Sequence, residues 1–221
     1  MAIPVVVSVP AQDSVPVDTT TRSYLALGDS YTSGQAVNLN DRYEVQAVGM
    51  LRKTGYHFND PAVIAEAGWT TSNLLAAVND TILPLPYDVV SILIGVNNQY
   101  QGGSQDNYQQ EFTTLLQQCI RLAGNRPSHV IVLSIPDYSL SPFAARMDKA
   151  AISTQIAAFN QINAGVAASY HTYYLDITAT SRQFPGDGSP LFASDGLHYS
   201  RQEYGVWATM LAPLLRKAVK E

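Results

Sequence analysis

Two stretches of this chain are nearly continuous in apolar residues and rich in β-branched ones: DVVSILI at residues 88–94 and VIVLSI at 130–135. A strand with one face in water alternates apolar and polar residues. A nearly continuous run of this kind belongs to a strand covered on both faces, which in practice means a parallel sheet sandwiched between helices. The rest of the chain fits that frame, because strand-like and helix-like segments alternate from Ser23 onward. Residues 24–27 form a short apolar run closed by Gly28, residues 62–67 read as a buried strand closed by Gly68, and 173–177 as a last strand. Helical spacing appears over 43–53, 71–78 (capped by Thr70 or Thr71), 105–123, 148–168 and 201–220, where Pro213 should kink or loosen the helix by removing a backbone donor. Residues 181–194, rich in Gly, Pro and Asp, read as a loop.

Five buried strands with helical crossovers predict an α/β fold, a three-layer αβα sandwich around a central parallel five-stranded sheet of the flavodoxin-like kind. Ligands of open parallel sheets bind beyond the carboxyl ends of the strands. Ser30, Gly68 and Asn97 each fall just after a predicted strand, so this fold would gather all three at one edge. The chain has 221 residues, and its 46% hydrophobic content against 14% charged supports a large packed core. Residues 11–22 are rich in Pro, Asp, Ser and Thr and read as part of a flexible N-terminal segment or linker over 1–22, ahead of a single folded domain over 23–221. Such a tether suits a periplasmic or secreted protein as well as a cytoplasmic one with a loose terminus, so the compartment stays open.

Several classes are excluded. The net charge of −5, with no Lys/Arg cluster, is wrong for a nucleic-acid surface. No apolar run approaches the roughly 18 residues of a membrane-spanning helix. The single cysteine, Cys119, sits on the apolar face formed with Phe112, Leu115, Leu116 and Leu122, and reads as a small buried hydrophobe. His57 lies in a polar loop, while His129 and His171 fall at strand starts, and none has metal-ligand spacing, so neither metal nor other cofactor is implied. There is no Gly-x-Ser-x-Gly elbow, no phosphate loop and no dinucleotide fingerprint. No protein partner is implied either, and a small-molecule substrate is the expected ligand.

What remains is a constellation. Ser30 follows a buried strand, and Asp195 precedes His198 by three positions, close enough for its carboxylate to accept a hydrogen bond from the imidazole. Taken singly, Ser30 could cap a helix, Asp195 and Asn97 could shape turns, Gly68 could end a strand, and His198 could pack or cap. Together they supply a nucleophile, a base that titrates near neutrality, a group to orient that base, and donors for a developing oxyanion. The candidate catalytic residues are thus Ser30, His198 and Asp195, and the candidate oxyanion donors are the backbone N–H groups of Ser30 and Gly68 and the Asn97 amide.

The chain resembles the SGNH, or GDSL-type, esterases and lipases in four blocks: LALGDSYTSG with Ser30, AGWTTSNL with Gly68, IGVNN with Asn97, and SDGLH with Asp195 and His198. The resemblance covers roughly residues 24–215. In one place it departs: the third block of the family commonly reads Gly-x-Asn-Asp, and here Asn98 replaces the Asp. The resemblance implies a serine hydrolase that cleaves carboxylic esters through an acyl-serine intermediate. It leaves the substrate broad, and small or short-acyl esters are expected because no long apolar insertion is visible to form a lid. A carbohydrate O-deacetylase is the alternative enzyme, and a catalytically weak glycan- or lipid-binding protein the alternative outside that class. Tyr31, Trp69, Tyr100, Tyr138 and Tyr199 lie near the blocks and could line the cleft, and residues 137–146 could form a substrate-facing loop.

Overall fold

A computed structural model of the protein describes residues 19–84, 86–182 and 190–220. In chain order its strands and helices are β1 (Thr21–Arg22), β2 (Tyr24–Gly28), α1 (Ser30–Ser33), α2 (Tyr43–Lys53), β3 (His57–Phe58), β4 (Ala62–Ala65), α3 (Thr71–Asp80) and β5 (Val89–Leu93). There follow α4 (Val96–Tyr100), α5 (Gln105–Leu122), β6 (Val130–Leu133), α6 (Lys149–Ser169), β7 (Tyr173–Leu175), α7 (Thr178–Ser181) and α8 (Arg201–Ala218). Five strands form one all-parallel sheet in the order β4-β2-β5-β6-β7. The fold is the expected α/β sandwich, with β2, β5 and β6 buried along their whole lengths.

The sheet tolerates one polar side chain at its centre. Ser91 of β5 is fully buried, and its hydroxyl shares a 2.7 Å hydrogen bond with the Tyr24 hydroxyl of the neighbouring strand, so neither oxygen is left unpaired. At the carboxyl edge β2 and β5 run close together. A methyl group on Gly28 would lie 2.6 Å from the Leu93 carbonyl oxygen and overlap Thr32, so only glycine lets β2 turn directly into α1.

Four local expectations need correction. Thr21 and Arg22, at the end of the segment read as linker, pair in parallel with His57 and Phe58. The linker reading therefore cannot include them, and its remainder over 1–18 lies outside the described residues. The same pairing puts His57 in a short strand rather than in a loop. In the loop read over 181–194, Ser181 closes α7, and 183–189 are outside the described residues. Finally, α8 continues unbroken through Pro213, which sits on the exposed face, where water can reach the Thr209 carbonyl that loses its partner. Cys119 is buried on α5 as expected, and burial pushes its thiol up to about 12.

Helices α2 and α8 pack on one face of the sheet through aromatic rings, with Tyr43 6.0 Å from Tyr204 and Tyr204 5.0 Å from Trp207. Glu44 is sealed beneath them. Its side chain is fully buried, and Arg42 Nε lies 3.2 Å from Oε1, near enough for charge attraction but outside hydrogen-bonding geometry. Burial pushes this carboxyl from 4.5 to about 7, against the weaker opposing pull of the backbone and of Arg42. A carboxyl raised in the folded state stabilises most when protonated in both states, and its contribution is lost as pH rises from the unfolded value through the folded one. From 4.5 to about 7, that loss is about 3 kcal/mol. Glu44→Gln should therefore melt close to the parent at pH 4 and several degrees above it at pH 8. A gap in melting temperature that stays constant across this range would show that Glu44 titrates normally.

Candidate active site

The carboxyl ends of β2, β4 and β5 deliver three of the sequence-predicted residues to one edge of the sheet. Ser30 begins α1, separated from β2 by Asp29 alone. Asp29 caps this helix by accepting from the Tyr31 N–H at 3.1 Å, and Gly34 closes it in the left-handed region, so the turn is only four residues long. The Ser30 carbonyl accepts from the N–H groups of Gly34 and Gln35 at 3.1 and 3.0 Å. Asp29 itself is fully buried with one carboxyl oxygen unpaired, and burial pushes its carboxyl up to about 7. It was not singled out from the sequence, where nothing distinguishes a buried cap from an exposed one.

Beyond β4 the chain turns at Gly68, whose φ of +85° lies in the left-handed region. Thr70 then opens α3 with a capping box, its N–H donating to Asn73 Oδ1 at 3.0 Å. After β5 comes Gly95, with φ +128°, at the start of α4, which carries Asn97. The Asn97 amide donates to the Trp69 carbonyl at 2.9 Å, linking the two loops and leaving its second hydrogen available to a ligand.

The candidate base arrives from another part of the chain. His198 Nδ1 and Asp195 Oδ2 are 2.6 Å apart. A carboxylate can only accept, so Nδ1 carries the hydrogen and Nε2 presents its lone pair. The other carboxyl oxygen, Oδ1, accepts from the backbone N–H groups of Leu197 and His198, both at 3.0 Å. Partial burial raises the Asp195 carboxyl, but the His198 ring and these two N–H groups together outweigh it and hold Asp195 below the usual carboxylate range. Neighbouring loops brace the turn, with Phe143 N donating to Gly196 O at 3.0 Å and Ala193 N to His198 O at 2.8 Å. The Tyr31 ring meets the imidazole edge-on at 5.6 Å.

Ser30 and His198 share a cavity of about 120 Å³. Tyr31, Asn97, Tyr100 and Tyr138 also line it, together with Val96, Phe143 and Leu197. The last three were not named as site residues, although Phe143 falls inside the 137–146 segment expected to face substrate, and Val96 and Leu197 adjoin named motif residues. Trp69 and Gly68 do not line the cavity. Tyr199 does not either: it is fully buried behind the site and donates to the Asp137 carbonyl at 2.7 Å. Tyr199 faces the core, where its ring packs against Tyr31 and Trp207, while His198 faces the cavity. His57, His129 and His171 stay away from it, and His129 pairs with the Asp88 carbonyl at 2.6 Å. Among the described residues no group of three or more His, Cys, Asp or Glu could hold a metal ion, and no helix is long and apolar enough to cross a membrane.

The family model of the GDSL-like lipases/acylhydrolases matches residues 26–206. Among solved structures, the chain is similar to a lipolytic protein of the G-D-S-L family from Veillonella parvula (16% identity, TM-score 0.70, covering 90% of this chain and 100% of that one). It is also similar to a lipase/acylhydrolase from Enterococcus faecalis (20%, TM-score 0.66, 88% and 96%) and to an acetylxylan esterase from Geobacillus stearothermophilus (17%, TM-score 0.63, 90% and 94%). Likeness at these identities carries the fold. No curated protein matches in sequence.

Proposed function

The chain belongs to the GDSL-like lipase/acylhydrolase family, and from that premise we propose that it is a serine esterase acting on small or short-acyl carboxylic esters. Ser30 attacks the ester carbonyl while His198 Nε2 takes its proton. Asp195 holds the imidazole in the required tautomer and stabilises the imidazolium that forms. The Ser30 and Gly68 N–H groups and the Asn97 amide receive the oxyanion, and the alcohol leaves with the proton returned by His198. Water then repeats the sequence on the acyl-serine and regenerates Ser30. The observation that carries this reading is the 2.6 Å Asp195–His198 pair, set beside the same cavity as Ser30.

Cavity size supports the choice of acyl group. About 120 Å³ is less than the roughly 150 Å³ that admits a benzene molecule in an apolar protein cavity. A short acyl group fits against Val96, Tyr138 and Leu197, whereas a fatty chain would have to lie outside along Tyr100 and Phe143, which are 54% and 41% exposed. With p-nitrophenyl esters from acetyl to palmitoyl, kcat/KM is expected to peak between two and about six carbons and to fall beyond. A rise through the long chains would overturn the short-acyl assignment. The absence of both turnover and fluorophosphonate labelling would overturn the esterase reading and favour a binding protein on this fold.

A further inference from the structure

Asn98, where the family commonly has aspartate, sits 8% exposed beside the candidate oxyanion donor Asn97, and its hydrogen bonds fix their own direction. The backbone N–H of Thr71 can only donate, and it does so to Asn98 Oδ1 at 3.0 Å. The Asn98 amide is thereby oriented, so that Nδ2 is the atom facing Thr71 Oγ1 at 2.7 Å and must donate to it. The hydroxyl oxygen is now an acceptor, and its single hydrogen goes to the other partner of that hydroxyl, Oε2 of Glu111 on α5. Glu111 is steadied in turn by Asn107 Nδ2 at 3.1 Å.

We infer that Asn98, Thr71 and Glu111 form a one-way clasp that positions the oxyanion donors, and that the asparagine at 98 is matched to the glutamate at 111. The inference rests on the esterase reading above. The clasp joins the start of α3, three residues after Gly68, to α4, the helix that carries Asn97, and the Asn97–Trp69 bond closes the same gap. Asn98 and Glu111 are thus positioning residues that touch no reacting atom. An aspartate at 98 would leave two carboxylates bracketing one hydroxyl with one hydrogen between them, so one of the two inner carboxylate oxygens would be left without a donor and facing a like charge. Adding glutamine at 111 would restore the balance with the polarity reversed: the new amide would donate to the hydroxyl oxygen, and the hydroxyl to the new carboxylate.

The test is a double-mutant cycle read by steady-state hydrolysis of p-nitrophenyl acetate, with melting temperatures in parallel. N98D is expected to lower kcat by about 10- to 100-fold with little change in KM, the effect of a small displacement of catalytic donors. The N98D/E111Q double variant is expected to recover most of that loss, with E111Q alone as the fourth corner of the cycle. A merely structural role would move stability without this reciprocal recovery in kcat. If N98D does not fold, Thr71→Val, which keeps the side-chain shape and removes the hydroxyl, tests the same link and should also lower kcat rather than raise KM. An active parent in which N98D, or failing it Thr71→Val, keeps full kcat overturns the clasp alone, as does an N98D loss that E111Q does not relieve. A parent that hydrolyses no ester overturns the esterase reading, and this inference falls with it.

Discussion

Replacing Ser30 by alanine is expected to lower kcat for short p-nitrophenyl esters by about 10⁵–10⁶-fold, the scale on which serine hydrolases lose activity with their nucleophile. What survives would come from binding and the oxyanion donors, which remain when the hydroxyl is removed. The fold should not register the change. The bonds that hold the α1 turn run through the Ser30 carbonyl, to Gly34 and Gln35, and through the Asp29 side chain to the Tyr31 N–H, so the serine hydroxyl supports none of them. The expected signature is therefore an unaltered melting temperature, a KM near that of the parent, and complete loss of fluorophosphonate labelling. Substantial turnover by Ser30→Ala would mean that another group delivers the attack, and the assignment of Ser30 would fail.

Asp195→Asn should be the second most damaging change, at about 10⁴-fold in kcat. The reason lies in the other carboxyl oxygen. Asp195 Oδ1 accepts two backbone N–H groups, both at 3.0 Å. An asparagine must keep its carbonyl oxygen there, because its NH₂ group cannot accept them. That leaves the NH₂ group facing His198 Nδ1, to which it can only donate. The imidazole is then driven to carry its hydrogen on Nε2, the atom that has to receive a proton. Asp195→Ala imposes no such bias and should retain more activity than Asp195→Asn despite removing more of the side chain. The opposite order, measured as kcat/KM at neutral pH, would refute the tautomer argument.

The parts of the fold that burial alone decides were legible in the residues. Nearly continuous apolar runs such as VVSIL leave a strand no exposed face, and β5 is buried throughout. Helical spacing located α2, α5, α6 and α8 to within two residues at each end. Features decided by a single long-range contact were not legible. Thr21 and Arg22 form a strand only because His57 and Phe58 come alongside, and two residues show no periodicity. Pro213 was expected to disturb α8, but its place on the exposed face depends on how the helix docks. Four motif blocks proposed the catalytic and oxyanion residues, and the fold then brings Ser30, Asn97 and His198 to one cavity. The aromatic lining was harder to read, because Tyr31 and Tyr199 both adjoin motif residues and only Tyr31 reaches the cavity. Asn98 looked like a local departure until Glu111, from a different helix, supplied its counterpart.

The placement of the histidine also bears on how the protein is made. His198 lies two residues ahead of Ser200, the cap of α8, and α8 is held by α2, far earlier in the chain, through Tyr43, Tyr204 and Trp207. A ribosome therefore finishes the strand, turn and serine early and supplies the imidazole only after every strand of the sheet has been made. Until then the nascent chain would carry Ser30 without the histidine proposed as its base. On the proposed assignment of Ser30 and His198, ester hydrolysis would thus wait on the completed sheet.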